Sequence, residues 1–237
     1  IGGKQDSGKV FYDFSITKNV FAMLLSVIFM LIIFIGMGRS YKNSLMPKGA
    51  GRILEPIVIF IRDEVAIPNI GSSKYKRFMP YLLTVFFFIW INNLFGLIPF
   101  FPFGGNLTGN IAITAVLAII TLVITLFSAN KDYWKHIFMP PVPILLYPIM
   151  VPIEIIGVFT KPFALMMRLF ANVTAGHIMI LAIISLIFIF KSPLLGFASV
   201  PLALFISVLE LLVAVLQAYI FTVLSALFIG IAVQDHS

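Results

Sequence analysis

Arg168 sits inside a long apolar stretch, KPFALMMRLFANVTAGHIMI, at residues 161–180. A guanidinium stays protonated in proteins, so it cannot escape hydrocarbon by becoming neutral. At the centre of a membrane helix its cost starts at about 2.5–3.5 kcal/mol. Glu154, Lys161, Asn172, Thr174 and His177 share the same apolar run, and Ser207, Glu210 and Gln217 share the last one. Arg168 and Asn172 are neighbours one helical turn apart. Ala164, Ala175 and Gly176 lie near that stripe, small enough to let another backbone approach closely. Glu210 and Gln217 are two turns apart on one face, with Ala214 between them. Ionisable groups at such depth mark ion or substrate paths more often than structural pairs. His177 and Glu210 together suit proton exchange, because histidine titrates near neutrality and burial raises a carboxylate toward the same range. A static Arg168–Glu210 pair is the simplest structural alternative. For Ser207, Thr174 and Asn172 the plain alternative is polar glue between helices. For Lys161 it is a snorkelling side chain near a helix end.

The elements that carry these residues follow from composition. The chain has 237 residues, 61% of them hydrophobic and only 11% charged, with a mean hydropathy of +1.10. Soluble domains carry about 25% charged residues, so the composition is that of an integral membrane protein. The net charge of +7 does not indicate nucleic acid. Eight of the sixteen Lys and Arg fall between Arg39 and Arg77, the pattern of a cytoplasmic loop. No cysteine is present, which excludes disulfides and thiol chemistry. The sequence starts at Ile1 without an initiator methionine, so it is either processed or part of a longer chain, and a lost signal peptide would suit an N-terminus lying outside.

The expected fold class is all-α integral membrane: about five spans, one interfacial helix, and no soluble domain able to fold alone. A polar lead at 1–16 precedes a first span at 17–38. The 47–68 segment interleaves Ile53, Ile57, Phe60 and Ile61 with Arg52, Glu55, Arg62, Asp63 and Glu64. It reads as an amphipathic helix lying in the interface. Spans follow at 79–101 and 110–130, then a Pro-rich aromatic connection. The apolar runs 148–190 and 194–233 far exceed what crosses about 30 Å of hydrocarbon, so they must tilt, bend or protrude. The basic 39–78 loop places itself and the C-terminus inside, and the N-terminus and the 104–109 turn outside.

KPFALMMRLFANVTAGH, followed by LELLVAVLQAYIFTVLSALFIG, resembles subunit a of the F-type ATP synthases. GRILEPIVIFIRDEVAIPNIG and NNLFGLIPF look like that family's surface helix and second-span motif, so the likeness runs from about residue 50 to 233. The resemblance implies a stator beside a rotating ring of carboxylate-bearing hairpin subunits (the c-ring), with a peripheral-stalk subunit b and other F1Fo subunits as partners. It implies strongly tilted last helices that follow the ring. Two offset half-channels would be separated by Arg168, which matches the family's essential arginine. Asn172, His177, Glu210 and Gln217 match positions lining the outer path, and Glu154 matches an inner-path position. Many bacterial relatives exchange the two types, with an acid at the position of His177 and a histidine at that of Glu210. Some also carry an acid near Gly96, which this chain lacks. A bacterial inner membrane is the expected location, and protons are favoured over sodium by the His177–Glu210 pair.

No G-x-x-x-x-G-K-[ST] loop occurs, so nucleotide chemistry would belong to partner subunits, and no cofactor is expected. A secondary transporter with Arg168 holding an anionic substrate is the alternative, but the inverted repeats such folds use are not visible. An intramembrane enzyme with His177 and Glu210 as acid and base lacks a nucleophile, and its three histidines are too scattered to hold a metal.

Overall fold

A computed structural model describes residues 18–43, 50–97, 108–140, 143, 146–190 and 193–234. The expected 1–16 lead, and the 98–101 end of the predicted second span, lie outside them. Among the described residues eight α-helices follow one another: α1 (Lys18–Asn43), α2 (Ala50–Phe60), α3 (Ile67–Ile70), α4 (Tyr75–Leu97), α5 (Ile111–Phe127), α6 (Lys131–Phe138), α7 (Tyr147–Phe190) and α8 (Pro193–Val233). A π-helical turn, Ile61–Ala66, joins α2 to α3, and there is no strand among the described residues. Four helices are long and apolar enough to cross a membrane; α5 and α6, bent 103° at their junction, bring the number to five. At 1.5 Å per residue the 17 residues of α5 reach about 26 Å, close to the thickness a fifth span needs.

The π turn explains how a charged triplet fits in an apolar segment. Its wide turn points Arg62, Asp63 and Glu64 outward while Ile61, Val65 and Ala66 are fully buried. Arg62 and Asp63 pair at 2.7 Å on the surface, which holds the Asp63 carboxyl below its usual range. The buried side packs against α4 and α8. In α4, Leu82, Val85, Phe86, Phe87 and Ile89 fill the core with α8 residues Phe221, Ala226 and Ile229. Phe34 of α1 meets Phe87 edge-on at 5.1 Å. Threonines make α5 compatible with burial: Thr121 and Thr125 return their hydroxyls to carbonyls one turn back, and Tyr81 meets the Thr121 hydroxyl at 2.6 Å.

Helices α7 and α8 are continuous over 44 and 41 residues despite Pro152, Pro162 and Pro201. They reach about 66 and 62 Å, twice the hydrocarbon thickness. The C-terminal end of α8 is tied down. Gly230 meets the Asn69 carbonyl so closely that any β-carbon would force α8 off α3. The last carbonyl of α8, Val233, accepts from both Lys74 Nζ and Asn130 Nδ2 at 2.8 Å, while the Asn130 amide donates to Ala232. Elsewhere the pair is bare. Ile156, Phe159, Phe163 and Met167 on α7, and Leu204, Val208, Leu211 and Val215 on α8, are exposed. Such a surface needs lipid or protein against it.

Candidate functional site

The polar groups of α7 follow a seven-residue spacing, Glu154, Lys161, Arg168, with Asn172 one turn further on. Seven residues are close to two helical turns, so these groups share one stripe. Its two ends border different cavities.

The first cavity holds about 30 Å³, enough for a water or two, and is lined by Asn93, Leu97, Asn172, Glu210, Ala214 and Gln217 among others. Asn172 Nδ2 donates to Gln217 Oε1 at 2.8 Å, joining α7 to α8. Gln217 is 2% exposed, and its Nε2 donor has no partner among the described residues. A buried amide N–H left unmet is costly, so it marks where water belongs. Asn93 completes the wall from α4: its Nδ2 donates to the Ala214 carbonyl at 3.3 Å, and its Oδ1 accepts from Thr108 at 2.6 Å. The Glu210 carboxyl lies against Gly176, in the space that a side chain there would fill. His177 falls on α7 next to Gly176, but its side chain lies outside the described residues.

The second cavity, about 160 Å³, is lined by Tyr133, His136, Ile137, Glu154, Val158, Lys161 and Ile231. Burial, and then Glu154, push the Tyr133 phenol above its ordinary range, so it stays protonated and able to donate. Lys161 is half-buried, with its ammonium 5.8 Å from the centre of the Phe228 ring on α8. The sequence suggested a snorkelling lysine; its ammonium lies over an aromatic face.

Arg168 lies on α7 between these two groups, seven residues after Lys161 and four before Asn172, and its side chain is exposed. It makes no ion pair among the described residues, so the static Arg168–Glu210 bridge is not formed. Exposed Ala164, Ala171 and Ala175 flank it and leave a shallow face. Thus Asn172, Glu210 and Gln217 come together, Glu154 belongs to a separate cavity, and Arg168 stands alone between them. Thr174 is half-buried, whereas Ser207 is exposed and returns its hydroxyl to Ala203. Neither lines either cavity. Sequence reasoning missed Asn93, Thr108, Tyr133 and His136. The paired amides Asn92 and Asn93 inside an apolar span were the available signal for the first two. Among the described residues no group of His, Asp and Glu could hold a metal.

These features define an all-helical, multi-pass membrane protein whose ionisable and amide groups line the contact between its two longest helices. Comparison with known proteins narrows the class. The ATP synthase A chain family matches residues 20–230. ATP synthase subunit a of Chloroherpeton thalassium is 49% identical over 95% of this chain and 69% of its own length. ATP synthase subunit a 2 of Chlorobaculum tepidum is 51% identical over 93% of this chain and 64% of its own. ATP synthase subunit a of Myxococcus xanthus is 47% identical over 93% of this chain and 74% of its own. The chain thus spans about two thirds of the length of these bacterial relatives. It belongs to the ATP synthase A chain family, the proton-translocating membrane subunit of F-type ATP synthases.

Gly176→Ala tests the first cavity. The new methyl takes the place of the Glu210 carboxyl, which is the far end of a flexible side chain and can swing away without parting the helices. The variant complex is expected to assemble in normal yield while ATP-driven proton uptake into vesicles falls roughly tenfold, about 1.4 kcal/mol in barrier. Native uptake would mean that the carboxyl position does not matter.

Proposed function

We propose that the chain is the proton-conducting stator of a rotary ATP synthase, with two offset half-channels separated by Arg168. The observation that carries this reading is the placement of two polar cavities at opposite ends of one α7 stripe, with an exposed, unpartnered Arg168 between them. Protons enter past Asn93, Gln217, Asn172 and the Glu210–His177 pair. They load a carboxylate on a ring of hairpin subunits that rides on the bare face of α7 and α8. They leave through the cavity of Glu154, Tyr133 and His136. The alanines beside Arg168 allow close passage of the ring helices. As a fixed cation, Arg168 repels a proton on its way through and attracts a ring carboxylate, lowering its pKa so that it releases its proton there. Water and the passing carboxylate offset the cost of keeping the guanidinium at that depth. Each charge crossing 100 mV releases about 2.3 kcal/mol, which biases the rotation. The basic α1–α4 connection supports a cytoplasmic position for that side, with α6 and the C-terminus, and an outside N-terminus, by the positive-inside tendency. Subunit b of the peripheral stalk would hold the chain against the ring.

The cysteine-free sequence allows a direct test. Val213 lines the first cavity and Val158 the second. In the assembled complex, Val213→Cys should react with a membrane-impermeant thiol reagent added outside only, and Val158→Cys with reagent added inside only. Labelling of both from one side would remove the two half-channels.

A further inference from the structure

Lys161 is the member of the polar α7 stripe that takes no part in the proton transfers above. It is half-buried and lines two hollows at once. One is the inner cavity of about 160 Å³ that holds Glu154, Tyr133 and His136. The other is a slot of about 10 Å³, room for a single water, lined by Thr121, Thr125 and Phe228 among others. Tyr133 and Val158 also border both, so the hollows adjoin and Lys161 stands at their junction. Its ammonium lies 5.8 Å from the centre of the Phe228 ring and makes no hydrogen bond or ion pair among the described residues. Seven residues separate it from Glu154, about 10 Å of rise along the same helical face. Of the described lining residues of the larger cavity, Glu154 is the only acid.

A carboxylate in a cavity with room for several waters draws cations from solution. A metal ion held there would occupy the space through which protons must pass. A tethered ammonium changes that balance. It offsets the carboxylate's charge, raises the cost of a second cation nearby, and is itself favoured by the aromatic face beside it. A proton moves along the O–H and N–H groups of water, Tyr133 and His136 and displaces nothing. A metal ion must exchange its water for several protein oxygens, next to a cation already in place. We propose that Lys161 is a specificity-determining residue of the inner path, a tethered cation that keeps alkali-metal ions out of the Glu154 cavity while protons pass. The inference rests on the two half-channels proposed above.

The experiment uses the whole complex in inverted vesicles. Their medium bathes the inner side, so ATP-driven uptake draws its protons through the Glu154 cavity. Initial rates are compared in media of equal ionic strength, about 0.15 M potassium chloride or choline chloride, and the ratio of the two is read for each variant. Potassium, rather than sodium, keeps the result clear of the ring's own ion preference. The native complex should pump equally in both. Lys161→Gln should run about fivefold slower in potassium than in choline, the order of one unit charge in a wet cavity. Lys161→Arg should restore indifference to potassium. A Gln variant with equal rates in both media would overturn the proposal and reduce Lys161 to packing on Phe228, however fast or slow it pumped. A native complex that potassium already slows would overturn it too. Should the Gln variant fail to assemble, Lys161→Cys serves instead. Made positive with an aminoethyl thiosulfonate reagent it should ignore potassium, and capped with the neutral methyl reagent it should be slowed; no difference between the two would overturn the proposal. Side-specific labelling of Val158→Cys tests the half-channels on their own. If that labelling holds while Lys161→Gln ignores potassium, only this inference falls.

Discussion

Replacing Arg168 with alanine is expected to abolish ATP-driven proton uptake while the complex assembles in normal amount. Two observations lead there. Arg168 is exposed and makes no ion pair among the described residues, so its loss leaves no buried charge unpaired. Its neighbours Ala164, Ala171 and Ala175 tolerate a further alanine on the same face. Under the proposed mechanism, the fixed charge prevents a loaded carrier from passing between the paths with its proton, and drives release from a ring carboxylate. Without it, both functions go together, and vesicles should leak protons passively. Arg168→Lys should recover little, because a lysine ammonium loses its proton readily when desolvated, whereas guanidinium does not. The assay compares native and variant vesicles with and without a sodium gradient. Pumping at the native rate with normal yield would reduce Arg168 to a structural residue. Pumping that required sodium would keep the gate and change the ion.

Glu210→Gln should lower proton flux by at least about tenfold, and by more at higher outside pH, where protons are scarcer and a titratable relay matters more. Glutamine keeps nearly the same volume and its hydrogen-bonding oxygen, so the cavity with Asn93, Asn172 and Gln217 should persist. What disappears is the ability to take and give a proton, a contribution commonly worth about two to four powers of ten where a positioned group is essential. Because water in the proposed relay could carry protons past a glutamine, the loss should be partial, unlike that at Arg168. Initial rates of ATP synthesis driven by imposed proton gradients, with the pH on the Glu210 side varied, separate the cases. A uniform fall at every pH would indicate altered packing, and no fall would take Glu210 off the path.

Much of the architecture was legible from residue type. Hydropathy exposed the membrane segments, and the excess length of the last two apolar runs announced the 44- and 41-residue helices. The motif around Arg168 pointed to the family. What stayed hidden depends on contacts far apart in the chain. Asn93 bonds to a carbonyl 121 residues away, and Asn130 to one 103 residues away, and no local pattern encodes either. The π turn was invisible because Ile61 fits an ordinary helical spacing; only the backbone hydrogen bond from the Ile67 N–H back five residues to the Arg62 carbonyl shows the wider turn. The span predicted at 79–101 begins four residues earlier, at Tyr75, because Lys76 and Arg77 can sit in a first helical turn at the surface where hydropathy sees only charge. The resemblance implies a different path for Glu154 than for Glu210, and Glu154 lines a different cavity; what the sequence did not show is its neighbours there, Tyr133 and His136 from α6.

The bare face of α7 and α8 also has a consequence for biogenesis. A newly inserted copy presents Arg168 and two rows of large apolar side chains to lipid, with only membrane thinning and water to relieve the guanidinium. Before a partner covers that face the chain is at its least stable, and afterwards the same charge holds it in register. Such a subunit is expected to be short-lived when made alone and to accumulate only once its ring already exists. On the proposed mechanism, a free half-channel pair would then be kept out of the energised membrane.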